Sequence, residues 1–597
     1  MKSLQNIILL LSFTLISLSL FSQQRESYFS HTVEKGQNIY SIASMYGVSQ
    51  DKIIKLNPGS EKTIYAGQKL RIPQNITTQM EETFHTISAG ETLYRLTITY
   101  NVSAKTITDA NPGLSAENFK VGQVIRIPIV QDDLLTEPKT KEIVEEETVP
   151  RCKDMHKVKR KETIFSISRE YGLTENELIT ANPEIKKGLK KGAWLCIPYP
   201  SSQQVPDEDS PFVVDVQQTP PSNNELFNLN KETPHSISNI KAAIILPFML
   251  DGGRKQEALR MVEFYEGFLM AVDSLKRRGA NIELHVFDSK GDAATIKQII
   301  AKKELKEMDI IFGPLHQQNV KPLADFSKEH NIRLVIPFTS KDDEVFNNPS
   351  IYQINTPQSY LHSEVFDHFT RQFPNANLII LDTTDGRDQY KKEFLEGLQL
   401  MAKINNIPIK SINIDKIETA VSAVEGLIRM DKTNIFIPTS GSDAALNKVI
   451  PLLQLIKGKQ IEAPMHLFGY PEWQTYTSDH LQNFFELDTY FYSSFYTNNL
   501  LPSAKSFINT YHKWFKKEMV NTYPKYGMLG FDTGFYFLHG LASYGTDLEN
   551  NLDRIDLTPI QTGFKFDRVS NWGGFINKKV FFVRFTNDFE LIKLDFD

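Results

Sequence analysis

Cysteine is nearly absent, with two in 597 residues. That excludes a cysteine-built zinc or iron–sulfur scaffold, and the lack of any Cys-x-x-Cys excludes a dithiol redox centre. Beyond residue 22 no apolar run approaches the roughly 18 residues that a bilayer span needs. A cationic excess is missing too. Lys and Arg number 66 against 72 Asp and Glu, a net charge of −6, so no overall basic footprint points to nucleic acid. There is no Gly-x-Ser-x-Gly elbow and no phosphate loop. No catalytic residue, metal site or cofactor is expected, and the expectation is a protein that is not an enzyme.

What is present begins with a leader. Lys2 supplies a charged start, Ile7 to Leu20 an apolar run and Phe21-Ser22-Gln23 a cleavage point. Residues 1–22 therefore read as a secretory signal peptide. No cysteine lies near the cleavage point, so no lipoprotein anchor is expected.

A repeat follows. His31 to Pro73, His85 to Pro128 and His156 to Pro198 share their landmarks: Tyr40/Tyr94/Phe165, Tyr46/Tyr100/Tyr171, and Asn-Pro at 57–58, 111–112 and 182–183. Matched offsets in three copies make this a repeat array. In the first copy Val33 sits at strand spacing from His31. Ile39, Ile42, Ala43 and Tyr46 have helical spacing, and Gly47 is suited to end that helix. Ser49 can cap a second helix, which Asn57-Pro58 stops because the residue before proline is pushed out of helical geometry. Leu70 to Pro73 closes the unit as a strand. The unit reads strand, helix, helix, strand.

This pattern resembles the LysM domain, over residues 28–74, 83–129 and 152–200. The resemblance implies binding of N-acetylglucosamine-containing glycans, peptidoglycan above all, in a groove between the loop after the first strand and the loop after the second helix. The implied glycan-binding residues are Gly36 and Gln37 with Asn57, Pro58 and Gly59, then Gly90 and Glu91 with Asn111, Pro112 and Gly113, and Asn182 in the third copy. The third copy departs from the pattern: Lys161 and Glu184 stand where the others have glycine, which hinders close backbone approach to a sugar. The three histidines, one per copy with no second ligand beside them, mark a repeated strand position rather than a zinc site.

Cys152 and Cys196 bracket the third copy. An exported compartment permits a disulfide between them, worth about 4 kcal/mol in the chain-entropy picture. Straight strand pairing leaves Cys196 nearer to His156 than to Cys152, so the leading segment must curl back. Residues 131–151 form an acidic linker. Residues 201–238, rich in Ser, Pro, Gln and Asn, read as a disordered one. On such tethers several weak glycan modules gain affinity through effective concentration.

From residue 239 to 597 buried-type strands alternate with amphipathic helices. Strand readings begin at 241, 282, 309 and 333; after a break near 347–356 they resume at 377, 408, 434 and 465. Two such sets imply two doubly wound parallel sheets. With Ile245-Leu246-Pro247, Ile311-Phe312-Gly313-Pro314, Val335 to Ser340, Ile351 to Ile354, Gly530 to Phe535 and a final hairpin from Gly574, this half resembles the type I periplasmic binding proteins of the leucine/isoleucine/valine-receptor kind. The fold class is thus multidomain: three small βααβ modules and a two-lobed α/β domain. The resemblance implies a solute such as an amino acid, held by His316, Thr339 and Ser340 from one lobe and Tyr390, Tyr470 and Glu472 from the other. Where amino-acid receptors have small hydroxyl residues after Gly-Pro, this chain has His316-Gln317.

The expectation is an exported, peptidoglycan-associated protein of the periplasm or cell envelope. Its partners would be an N-acetylglucosamine polymer and either a small solute or an envelope protein. Domains of the receptor kind also occur in activators of cell-wall synthases, which makes a ligand-free interaction scaffold the second reading. A cell-wall hydrolase is the third.

Overall fold

A computed structural model of the chain describes residues 28–61, 63–74, 82–128, 152–159, 162–171, 178–179, 181–182, 185, 189–198, 221–229, 233–250, 252, 256–383, 389–459, 462–499 and 501–596. The leader, the acidic linker, most of the second linker, Lys161, Pro183 and Glu184 lie outside the described residues. The chain forms two compact units, residues 131–221 and residues 1–130 with 222–597.

The first two repeats have their expected elements. The first runs β1 (Tyr28–Thr32), α1 (Ile39–Tyr46), α2 (Gln50–Leu56), β2 (Lys69–Pro73). The second runs β3 (Glu82–Thr86), α3 (Leu93–Tyr100), α4 (Ala104–Ala110), β4 (Val124–Pro128). In both, the two strands pair antiparallel, with His31 opposite Leu70 and His85 opposite Ile125. α1 starts on a reciprocal cap: Asn38 accepts from the Ser41 N–H, and Ser41 accepts from the Asn38 N–H. It ends on Gly47 at φ 61°, where α3 ends on Asn101 at φ 52°. Both are residues that tolerate the left-handed cap.

The 131–221 unit contains the third repeat, with β5 (Cys152–Lys157), α5 (Ile164–Tyr171) and β6 (Trp194–Pro198). Cys196 is disulfide-bonded, and Cys152 is the chain's only other cysteine. The expected curl takes the form of a bulge between Cys152 and Asp154. It sets Met155 opposite Cys196 and Cys152 opposite Pro198.

In the larger unit, α6 (Asn223–Leu229) falls inside the stretch expected to be disordered. Its partner explains it. Leu226 and Phe227 pack on the core of the second repeat, and Asn223 accepts from the Leu93 N–H at 2.8 Å. The first lobe then comprises β7 (Ile240–Leu246), α7 (Gln256–Arg277), β8 (Ile282–Asp288), α8 (Ala293–Ile300), β9 (Ile310–Phe312), α9 (Val320–His330), β10 (Arg333–Ile336) and β11 (Ile351–Gln353). β11 occupies the expected break; it is a short, fully buried strand. The second lobe comprises α10 (Gln358–Gln372), β12 (Ala376–Asp382), α11 (Gln389–Ile404), β13 (Ile409–Asn413), α12 (Ile417–Glu425), β14 (Thr433–Pro438), α13 (Asp443–Lys457), β15 (Met465–Gly469), α14 (Thr477–Glu486) and β16 (Thr489–Ser493). The chain returns to the first lobe through α15 (Pro502–Phe515), α16 (Tyr526–Tyr544), β17 (Phe566–Arg568) and β18 (Phe575–Asn577). It finishes in the second with β19 (Phe581–Phe585) and β20 (Leu591–Asp595).

The strand orders are β17-β18-β11-β10-β9-β7-β8 and β13-β12-β14-β15-β16-β19-β20. The parallel core of each sheet places its second strand outside its first and the later strands on the other side, the doubly wound order. The two sheets and three crossings, after β11, β16 and β18, form the two-lobed architecture expected from the resemblance. α16 lies on α7 at close range. A Cβ on Gly530 or Gly267 would run into the backbone carbonyls of Phe264 and Gly527 respectively.

The first two repeats are packed on the receptor-like domain rather than tethered beside it, on its first lobe and, through α10, on its second. Trp572, in the turn between β17 and β18, meets Tyr46 at 5.8 Å and Phe84 at 5.3 Å between ring centroids, and the Arg126 guanidinium covers it at 5.1 Å. Asn571 accepts from the Gly113 N–H at 2.7 Å and donates to the Val124 carbonyl at 3.0 Å. Lys35 pairs with Glu364 at 2.8 Å and Asp367 at 2.5 Å on α10. Tyr40 donates to Asp343 at 2.5 Å, and Arg126 to Asn347 at 2.8 Å.

The second lobe carries an acid-sensitive clasp. Burial opposes the charge on Asp488, but the Arg584 fork, at 2.7 and 2.8 Å, and the nearby His466 outweigh it and hold the carboxyl down to about 2. A depressed carboxyl stabilises the fold above about pH 4 and loses that contribution as pH falls toward its folded value. Arg584→Ala is expected to cost about 2 kcal/mol at neutral pH and to move acid unfolding to higher pH, followed by circular dichroism. An unchanged acid midpoint would show the clasp to be idle.

Candidate functional site

The repeats spend most of their implied glycan-binding side chains internally. His31 bonds Gln37 through Nε2 and Tyr46 through Nδ1, both at 2.8 Å, and Gln37 also accepts from the Glu34 N–H. The second copy matches: His85 bonds Glu91 and Tyr100 at 2.8 Å, and Glu91 accepts from the Ser88 N–H. In the third, His156 bonds Glu162 at 2.9 Å. Burial lowers the His31 pKa, keeping the imidazole neutral in this clamp.

The asparagines act likewise. Asn57 donates to the carbonyls of Ile53 and Arg71 and accepts from the Arg71 N–H. Asn111 does the same with Ile107 and Arg126, and Asn182 with Leu178 and Cys196. Each carboxamide ties the end of the second helix to the closing strand, a bond set that leaves no spare donor. The recurrence of asparagine in the third copy, where the neighbouring glycine is lost, was the sequence signal of this role.

What the grooves offer a ligand is therefore mainly backbone, and access differs between copies. Gly59 and Gly90, at φ 98° and 81°, have open space where a Cβ would stand, and Pro58 and Pro112 are exposed. Gly36, at φ 87°, lies against Tyr360, where a Cβ would come within 2.7 Å. Gly113 lies against Arg568, where it would come within 2.5 Å. Copy one has its first loop covered by the lobe, and copy two its second.

The other candidate site is a cavity of about 470 Å³ on the first lobe, bordered by the segments that cross to the second. All three crossings build it: Ile354 and Asn355 from the first, Ser494 and Phe495 from the second, Asn577 at the third. Thr339 and Ser340 are among its lining residues. Their loop is pinned by Gln353, donating to the Thr339 carbonyl at 3.0 Å, and by Asn355, donating to the Phe338 carbonyl at 2.7 Å. Tyr526 and Leu529 form an apolar wall, and Thr562 an adjoining polar one. Asp532 holds the Thr562 loop by accepting the N–H groups of Ile560, Gln561 and Thr562, each at 2.8 Å; complete burial pushes its carboxyl up to about 6.

The remaining expected residues do not join this cavity's lining. His316 follows Leu315, which does line it, but its imidazole turns to Glu257 at 3.3 Å. Tyr470 is wholly buried and donates to the Pro438 carbonyl at 2.6 Å. Glu472 pairs with Lys391 at 2.9 Å, and that ammonium also sits 4.2 Å from the Tyr470 ring. Burial and the Lys391 charge press nearby His362 down to about 3. Tyr390 lies in the first turn of α11, and its side chain is outside the described residues. Thus Thr339 and Ser340 belong to one constellation, Tyr470 and Glu472 to another. Among the described residues no group of three His, Cys, Asp or Glu side chains is arranged to hold a metal ion, and no helix is long and apolar enough to cross a membrane.

Comparison with known proteins bears on both sites. The model of the LysM domain matches residues 31–73, 85–128 and 156–198. The chain carries three LysM domains. A probable N-acetylmuramoyl-L-alanine amidase of Haemophilus influenzae is 26% identical over 164 residues, covering 28% of this chain and 31% of that protein. A putative sporulation-specific glycosylase of Bacillus subtilis is 31% identical over 104 residues, 17% of this chain and 23% of that one. The chain therefore spans less than a third of either relative. Among solved structures, an ABC transporter substrate-binding protein from Desulfitobacterium hafniense in complex with Leu is 14% identical, covers 60% of this chain and 100% of its own, and has a TM-score of 0.35. A putative branched-chain amino acid ABC transporter from Rhodospirillum rubrum is 13% identical, covers 59% and 100%, and has a TM-score of 0.43.

The LysM asparagine staple gives a direct test. Asn111→Ala should cost about 1–3 kcal/mol, the penalty for orphaned buried backbone groups. It should speed hydrogen exchange at β4. The exposed neighbour Pro112→Ala should stay within about 0.5 kcal/mol. Equal effects would remove the structural role assigned to Asn111.

Proposed function

We propose that the protein is a non-enzymatic, exported receptor of the cell envelope, held on peptidoglycan by its LysM domains and taking a small solute between the lobes of its C-terminal domain. The observation that carries the second half is the cavity built by all three lobe crossings. A ligand there touches each hinge segment, so its binding is coupled to lobe closure. A relative supports the first half, since it is named as a probable N-acetylmuramoyl-L-alanine amidase.

The solute is not a simple copy of an amino acid. In amino-acid receptors a second-lobe acid holds the ligand ammonium; here the candidate acid, Glu472, already holds Lys391. This internal pair also favours a second reading, a scaffold that contacts an envelope protein and captures no small molecule.

Two measurements separate these readings. The full chain should sediment with purified peptidoglycan; recovery in the supernatant would end the anchoring reading. A thermal-shift panel of amino acids, short peptides and soluble wall fragments addresses the cleft. A ligand at 100 times its dissociation constant adds about 2.7 kcal/mol. Free amino acids should leave the melting temperature unchanged while one larger solute raises it. A flat response throughout would favour the scaffold.

A further inference from the structure

Docking of the first LysM domain creates a second cavity, of about 360 Å³, at the seam with the receptor-like domain. Asn38, Tyr40 and Ser41 line it from α1 and its cap; Asp342, Asp343 and Tyr360 line it from the receptor-like domain. Ser340 and Lys341 line both this cavity and the first-lobe one, so the two are neighbours across a single loop. We propose that they form one composite site for a soluble peptidoglycan fragment, with its amino sugar at the seam and its short peptide in the first-lobe cleft. The proposal rests on the reading of the LysM domains as peptidoglycan-binding and names the solute that the cleft takes.

The two halves differ in chemistry as the two halves of such a fragment do. At the seam, the exposed ring of Tyr40 stands beside the carboxylates of Asp342 and Asp343. Rings offer apolar faces to the C–H side of a sugar, and carboxylates accept from its hydroxyls. In the cleft, Tyr526 and Leu529 give an apolar wall, while the exposed Asn355 brings an amide suited to a peptide backbone. Lys341, at the junction, supplies a cation for a carboxylate of the peptide.

The cleft also holds a polar group with an unspent bond: the Thr562 hydroxyl, in a residue 4% exposed, has no hydrogen-bond partner. Buried polar groups left without a partner are rare, and a ligand is one way to complete them. Each cavity alone lies toward the small end of ligand sites, which run from about 300 to 1,000 Å³. Joined, they suit a ligand larger than an amino acid.

The test is calorimetric titration of the full chain with three probes: a disaccharide-tetrapeptide, the disaccharide alone and the tetrapeptide alone. The joined fragment should bind at least tenfold more tightly than either half. Tyr40→Ala should weaken the fragment about tenfold and leave the tetrapeptide unchanged. Thr562→Val should weaken fragment and tetrapeptide alike. Ser340→Trp, which fills the junction, should abolish the advantage of the joined fragment; circular dichroism checks that each variant is folded. A fragment no tighter than the tetrapeptide, or one indifferent to Tyr40→Ala, overturns the composite site. Sedimentation with insoluble peptidoglycan, run on the same proteins, reports anchoring separately. Retained sedimentation with no fragment binding sinks this proposal and spares the anchoring reading.

Discussion

The packing of Trp572 is the contact on which the arrangement of the larger unit depends. One indole, at the tip of the turn between β17 and β18, touches Tyr46 of the first LysM domain and Phe84 of the second, under the guanidinium of Arg126. Aromatic contacts of this kind are worth about 0.5–1.5 kcal/mol each beyond the area they bury, and a shielded cation over the ring adds a comparable amount. The polar bonds around it, from Asn571 to Gly113 and Val124, are directional and fix orientation. Phe29, Tyr46 and Phe84 also pack on one another, Tyr46 edge-to-face against both phenylalanines. The two LysM domains thereby share a core with each other and with the first lobe.

That docking changes what a repeat means. Repeats with the same landmarks, joined by linkers, suggest binders on flexible tethers. In the larger unit, two of them contribute walls and contacts to a receptor-like domain. The lobe reaches the first through Lys35, Gly36 and Tyr40, and the second through Gly113 and Arg126. Reading the array as an avidity anchor assumed freely tethered modules. The first two do not have that freedom in this arrangement, because their loops are partners of a folded surface.

Local features were legible in the sequence and long-range ones were not. The βααβ unit could be read because caps, helical spacing and Asn-Pro stops are local signals repeated three times. The alternating half could be read because buried strands and amphipathic helices differ in period. β11 was missed because three buried residues carry no period, and α6 because its seven residues are helical only against the second LysM domain. The pairing of Glu472 with Lys391 spans 81 residues, and that of Arg126 with Asn347 spans 221; no spacing rule reaches so far. For the same reason the cleft was half seen. Thr339 and Ser340 follow a strand and were placed from its register. Phe495, Tyr526, Thr562 and Asn577 enter only because the chain crosses between lobes three times.

The side chains that recur most faithfully in the repeats are those least available to a ligand. Histidine, the acid or amide six residues later, and the asparagine of Asn-Pro recur in all three copies, and each is spent on holding its own module closed. A module of some 45 residues buries too little apolar surface to be generous with stability, so its fixed positions go to internal bonds. Specificity must then come from the positions that vary and from the surfaces set against them. Tyr40 shows the consequence: it recurs as Tyr94 in the second copy, yet only in the first does docking bring it to Asp343 and to the loop of Ser340. Equivalent residues thus acquire unequal chemistry through what they are packed upon.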